Sequence, residues 1–288
     1  MARRLLIVDF GCLQGSPVKL QFAAAAIAVA FMSQAQAGPL FGQAAYAADI
    51  TFSDVLGATT MTMAYDGTSY WSASGGSNSG TRLARYDGAG NSTGTFAPGL
   101  DFRSVFTNAS NEVLARQFNN RTIYKQTAPG TFSSQLTLTG GTLDAQSSVV
   151  MNGNGQYVAM FDGQVDVWDA TGAHINAFAL NGYTGNFPED RGIATAGAYL
   201  FTYFSQTLKA WDYSGNEVDS TTLTGAGSGF DSHFSISYAN DRFFVVDSAG
   251  QTWRGYDVGL GGGTVPEPGA LALVGLALAG LAFTRRRA

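Results

Sequence analysis

Four short segments of this chain are versions of one another, and a fifth is close to them. Tyr86-Asp87-Gly88-Ala89-Gly90, Trp168-Asp169-Ala170-Thr171-Gly172, Trp211-Asp212-Tyr213-Ser214-Gly215 and Tyr256-Asp257-Val258-Gly259 each set an aromatic before Asp, with Gly shortly after. Tyr124-Lys125-Gln126 fits the pattern with Lys in place of Asp. The residue after the aromatic is number 87, 125, 169, 212 or 257, so the steps are 38, 44, 43 and 45. A period of that length constrains the fold more than any other property of the chain. Each unit is too small to bury its own apolar face and must pack on its neighbours.

Each unit reads as four strands. In the third, residues 148–151 form strand A, Asn152-Gly153-Asn154-Gly155 a turn, and 157–161 strand B. Asp162-Gly163 is a hairpin turn, 165–168 strand C and 174–180 strand D. Gln164-Val165-Asp166-Val167-Trp168 alternates polar and apolar with period two, as a half-buried strand does. The fourth unit repeats the plan at 199–203, 207–211 and 217–223. The Asp at the end of strand C can accept backbone N–H bonds of the turn, the later Gly supplies positive φ, and the aromatic packs between sheets. A period near 43 with an aromatic-Asp step resembles the blades of WD-type β-propellers. The Gly-His dipeptide of WD40 repeats is missing, so the resemblance extends to architecture and not to that family. It implies an all-β, five-bladed β-propeller of four-stranded antiparallel blades over residues 49–259. The fifth unit stops after strand C, and residues 50–52 are a strand-like piece left over at the start. They are expected to supply the missing outer strand, closing the ring and removing its exposed edges.

The two ends differ from the middle. Residues 22–32 (FAAAAIAVAFM) are apolar, Lys19 precedes them, and Ala35-Gln36-Ala37 has the small-x-small form of a signal-peptidase site. Residues 1–37 therefore read as a signal peptide with a preamble, with cleavage after Ala37 or, alternatively, after Ala45-Tyr46-Ala47. Residues 38–48 read as a linker. The single cysteine, Cys12, lies in the removed part, which leaves the mature chain without a thiol for disulfide, catalysis or metal.

After a Gly-rich linker at 260–264, the other end (265–288) contains Val265-Pro266-Glu267-Pro268, an apolar run at 269–283, and Arg285-Arg286-Arg287. The prolines keep the tripeptide extended. At 1.5 Å per residue the run is a helix of about 22 Å, short of a ~30 Å hydrocarbon core. The arginines hold the terminus in the cytoplasm by the positive-inside rule. These three parts in this order resemble the PEP-CTERM sorting signal of Gram-negative bacteria. The resemblance implies an exported domain held at the inner membrane by a C-terminal transmembrane helix, and processing by an exosortase-type enzyme. It also implies a destination at the cell surface or extracellular matrix, with extracellular polysaccharide as a partner.

Between the ends, residues 49–264 carry ten basic residues against nineteen acids, a formal charge of −9. An acidic domain with scattered Arg is a poor polyanion binder, which disfavours nucleic acid as a partner. The acids also form a second repeat. Asp54, Asp101, Asp144, Asp190 and Asp231 each stand just ahead of a strand A, at steps of 47, 43, 46 and 41. In a propeller these positions line one mouth of the channel, with Arg103, Gln146, Arg191 and His233 close by in sequence. Two readings stay open: a mouth that takes a cation or a hydroxyl-rich ligand such as a sugar, or five caps each serving its own turn.

Nothing in the sequence demands catalysis, a cofactor or a metal. Five-bladed glycosidases need two or three convergent carboxylates, and of Glu112, Glu189 and Glu217 only Glu189 falls at the mouth. Neither His174, at the start of an outer strand, nor His233 has a partner at metal-ligand spacing. There is no G-x-S-x-G, P-loop or dinucleotide fingerprint, and Gly75-Gly76-Ser77-Asn78-Ser79-Gly80 reads as a surface loop because no helix follows. The expected role is an exported binding or matrix protein; the alternative is a carbohydrate-active enzyme using the mouth carboxylates.

Overall fold

The alternation of apolar and polar residues, cut by Asx and Gly turns, folds the described residues into twenty-one strands. A computed structural model describes residues 39–260 apart from Ala58, Asn186, Ser248 and Gly250. The segments expected as signal peptide and membrane helix, the Pro-Glu-Pro tripeptide and the terminal arginines lie outside the described residues. Two strands precede the ring, β1 (Ala45–Ala47) and β2 (Ile50–Ser53). Blade 1 is β3 (Thr60–Tyr65), β4 (Tyr70–Ser74), β5 (Leu83–Tyr86) and β6 (Ser92–Phe96). Blade 2 is β7 (Phe102–Thr107), β8 (Val113–Gln117), β9 (Thr122–Ala128) and β10 (Thr131–Thr137). Blade 3 is β11 (Val149–Met151), β12 (Tyr157–Phe161), β13 (Gln164–Trp168) and β14 (His174–Ala179). Blade 4 is β15 (Ala194–Ala196), β16 (Tyr199–Phe204), β17 (Thr207–Trp211) and β18 (Glu217–Thr224). Blade 5 begins with β19 (Ser237–Ala239), β20 (Arg242–Asp247) and β21 (Thr252–Tyr256).

Within every blade, neighbouring strands pair antiparallel in chain order. Blade 5 takes its fourth strand from the other end of the domain. β2 pairs antiparallel with β21, Ile50 opposite Gly255 and Phe52 opposite Trp253. The innermost strands contact one another around the channel, β3 to β7 to β11 to β15 to β19 and back to β3. The ring is thus five-bladed and closed, with β2 covering the edge that β21 would otherwise leave open.

The segment expected as a linker, 38–48, is also part of the ring. β1 lies parallel to β18 as a fifth strand of blade 4, with Tyr46 opposite Leu223. Phe41 and Tyr46 are buried against Phe201, Leu223 and Tyr256, and the Phe41 amide donates to the Asp219 carboxylate at 2.8 Å. The physical reason is the outer edge of blade 4, whose open hydrogen-bonding groups an Ala-Tyr-Ala strand can satisfy.

Five apolar clusters fill the five seams. The strand-C aromatic of each blade faces the blade before it: Trp168 packs with Leu114 and Ile123, Trp211 with Val150 and Val158, Tyr256 with Phe201, and Tyr86 with Phe244. Tyr124 packs at the seam of blades 1 and 2 but stays half-buried. Burying a side chain of this size contributes roughly 4–6 kcal/mol in the extended-chain limit, which explains why the period is carried by aromatics.

The neighbouring Asp shapes the turn, as expected. One Asp169 carboxylate oxygen accepts the N–H groups of Thr171 and Ala173 at 2.9 and 3.0 Å. Asp212 does the same for Ser214 and Asn216 at 2.8 and 2.9 Å. Gly215 then turns at φ +83°, and a Cβ there would run into the Ala179 carbonyl of blade 3.

Candidate functional site

The aspartates ahead of the five inner strands are the residues expected at one mouth of the channel, and hydrogen bonds and ion pairs join several of them from blade to blade. Asp54 is buried; it accepts the Thr60 hydroxyl at 2.5 Å and the Leu56 amide at 3.2 Å. Asp101 accepts the Gly76 amide of blade 1 at 2.7 Å and pairs with Arg103 at 2.7 Å. Arg103 reaches on to the Gln146 carbonyl oxygen at 2.5 Å and lies over the Phe118 ring at 4.6 Å. The Gln146 amide donates to Asp144 at 2.9 Å, and Arg191 donates to the same oxygen at 2.9 Å. Arg191 also pairs with Asp190, and its guanidinium sits between Phe161 and Phe187 at 4.8 and 4.7 Å.

One arc of the mouth is therefore a chain of carboxylates and guanidiniums from Asp101 to Asp190. The other arc, Asp54 and Asp231, has no arginine among these contacts. Asp231 stands in α1 (Phe230–Phe234), a single helical turn ahead of β19, and accepts the backbone amides of Thr60 and Thr59. Some contacts are caps: Asp54 and Asp144 each accept the amide two residues on. Others tie blades together, as Asp101 does with blade 1 and Arg191 with blade 3.

Burial and charge act differently on the two arcs. Burial pushes the Asp231 carboxyl upward, and the neighbouring Asp54 adds to the push, against the amides of Thr60 and Thr59. For Asp144 burial also pushes up, but the Gln146 amide and Arg191 outweigh it and hold the carboxyl below the ordinary aspartate value. Burial lowers the Arg103 guanidinium while Asp101 works against the fall.

Beneath this arc Arg116 is fully buried and donates to four carbonyls, those of Asn120, Asp144, Ala145 and Ser147, at 2.6 to 2.9 Å. Burial, with Arg103 adding repulsion, brings it down to about 9. It holds the connection between blades 2 and 3 from which Asp144 and Gln146 project.

Three further features go beyond the sequence reading, which points to His174, Glu189 and His233 but not to their contacts. At four seams a strand-A hydroxyl crosses to the next blade. Thr62 bonds Val105, Ser104 accepts from Val149, Ser148 accepts from Ile193, and Ser237 accepts from Met63, at 2.7 to 3.3 Å. Hydroxyls are common in strands, so no pattern marks these.

The second feature is His174. It begins β14 as expected, and its Nε2 lies 2.7 Å from Asp166 with the ring edge-on to Trp168. The third is a group at the 3-10 turn Glu189–Arg191 and α1: Glu189, Ser232 and His233 are buried, and each has polar side-chain atoms without a hydrogen-bond partner. Their spacing, one residue before Asp190 and one and two after Asp231, was the available signal. The other two glutamates lie where the strand plan put them: Glu112 pairs with Lys125, and Glu217 with Lys209 at 2.8 Å. No group of three His, Cys, Asp or Glu suited to a metal occurs among the described residues. Among them, too, no helix is long and apolar enough to cross a membrane.

The chain matches no curated protein. Solved structures resemble it in outline only. A gluconolactonase of Xanthomonas campestris is 11% identical, with a TM-score of 0.45 over 76% of this chain and 88% of its own. A streptogramin B lyase is 12% identical, at 0.39 over 71% of each chain. PorZ, a surface component of the type-IX secretion system of Porphyromonas gingivalis, is 14% identical, at 0.39 over 69% of this chain and 24% of its own. The informative match is at the C-terminus, where residues 264–287 fit the PEP-CTERM protein-sorting motif. The chain is thus a five-bladed β-propeller that carries a PEP-CTERM motif, which marks it for export to the cell envelope with an exosortase-type sorting signal.

Proposed function

We propose that this chain is a surface-directed binding or matrix protein. The signal peptide and tail deliver the propeller across the inner membrane, the helix at 269–283 and Arg285–Arg287 hold it there, and an exosortase-type enzyme then processes it at Pro266-Glu267-Pro268. The sorting motif at 264–287 carries this reading. The mouth supports binding over hydrolysis: Asp101, Asp144 and Asp190 are each engaged by an arginine instead of converging on one open point. Extracellular polysaccharide is the partner this reading favours.

The test is replacement of Pro266, Glu267 and Pro268 by Ala in the producing bacterium. Full-length protein should accumulate at the inner membrane, while the unaltered chain appears at the surface with a smaller mass. Unchanged mass and location would end the reading.

A further inference from the structure

Beside Asp190, between Tyr183, Thr184, Gly185 and Glu189 on one side and the β16–β17 hairpin on the other, lies a pocket of about 210 Å³. Its walls include the rings of Tyr183, Tyr203 and Phe204, the Glu189 carboxylate and Lys209. Glu189 is 9% exposed, and its Oε2 has no hydrogen-bond partner. His233 is 6% exposed, stacks on Phe204 at 5.4 Å and 24°, and has neither ring nitrogen partnered. The adjacent Ser232 hydroxyl is equally unpartnered. Phe204 itself is 54% exposed. Of these three residues Glu189 lines the cavity; a buried carboxylate oxygen without a partner is costly, and its position in the wall points to a ligand that completes it.

The bonding deficits define its chemistry. A carboxylate needs donors. Lys209, the other charged group in the wall, needs an acceptor. An anion would meet Glu189. An ammonium ion offers donors only and meets Lys209. Adjacent hydroxyls on a neutral ring supply both donors and acceptors, and the C–H face of such a ring suits an exposed phenyl platform.

We propose that this pocket binds one neutral pyranose unit, with its hydroxyls bonded to Glu189 and Lys209 and its C–H face on Phe204. The inference deepens the binding reading above and rests on it. It is tested on the full-length chain in a detergent without a sugar headgroup, by calorimetric titration with three probes. These are methyl β-glucopyranoside, methyl α-mannopyranoside and methyl β-galactopyranoside, with glucuronate as the charged control.

At least one probe should bind saturably, and glucuronate should bind at least about tenfold more weakly, a difference of about 1.4 kcal/mol. Glu189→Gln and Phe204→Ala should each weaken the bound probe by about tenfold or more, whereas Glu112→Gln, at the Lys125 pair of blade 2, should leave it unchanged. Because Phe204 is half exposed, Phe204→Ala should melt like the parent, which keeps the test valid if Glu189→Gln fails to fold. No saturable binding of any probe, binding that survives Phe204→Ala, or glucuronate binding as well as the hexosides would overturn the proposal. If the probes fail while sorting still depends on the Pro-Glu-Pro tripeptide, the pocket inference alone falls. If sorting loses that dependence while a probe still binds, the surface reading alone falls.

Discussion

Closure of the ring rests on one side chain more than on any other, and Phe52→Ala measures it. Phe52 is 8% exposed on β2 and meets Tyr86, Tyr70 and Phe244 at ring centroids 5.0, 5.9 and 6.1 Å apart. Truncating a buried Phe to Ala costs about 3–5 kcal/mol, the value depending on how far the site can collapse. Here it can collapse little. The ring lies on Gly90, which has no side chain to move in, and a Cβ there would run into the phenyl group.

We therefore expect a loss near the middle of the range or above, about 4 kcal/mol. For a domain of this size that is a fall in Tm of roughly 8–16 °C. Urea titration followed by Trp fluorescence should show the midpoint drop without a change in slope. Val55→Ala, at a 43% exposed position three residues on, should shift stability by no more than about 0.5 kcal/mol. A loss below about 1 kcal/mol for Phe52→Ala would refute the argument that β2 is seated in blade 5.

Two further outcomes concern charge at the mouth. Asp231→Asn should raise Tm at pH 7, because burial and then Asp54 disfavour the ionised carboxyl, and the amide oxygen can still accept from Thr59 and Thr60. The advantage should shrink as acid protonates Asp231 in the parent, and a lower Tm at pH 7 would contradict it. His233 is lowered by burial, so the unfolded chain binds its proton first. The stability of its neutral form is present above pH about 6.5 and is lost as pH falls through the lower folded value. Urea midpoints measured from pH 7.5 downward should fall for the parent and flatten for His233→Gln, and parallel profiles would sink this account.

The repeat was legible in the sequence because one physical job recurs in every blade. Trp168 and Asp169 fill a seam and cap a turn with atoms only a few residues apart, so the pattern survives in one dimension. β2 was legible for a related reason, since a fifth unit ending after strand C leaves a vacancy that must be filled. β1 was not. Ala45-Tyr46-Ala47 has no alternation of its own and shares its form with a cleavage site; its strand character comes from β18, far along the chain.

The repeat of the aspartates ahead of each strand A is visible in the sequence, but their partners are not. Arg191 links Asp190 beside it to Asp144 in another blade, and nothing local records which long side chain crosses a seam. Glu189 and His233 come together for the same reason, brought side by side by two short helical turns in successive connections.

Because β1 grips blade 4 and β2 completes blade 5, the first strands of the domain hold both ends of its last half-turn. The Ile50–Gly255 pairing spans almost the entire domain, so it is among the last contacts that chain connectivity permits. A chain cut short anywhere before β21 keeps β2 but gives it nothing to pair with. The open edge that results is the kind of surface that aggregates and that proteases attack. The architecture thus acts as a test of completeness: only a molecule synthesised through its fifth blade can close, and the sorting motif begins just beyond that point.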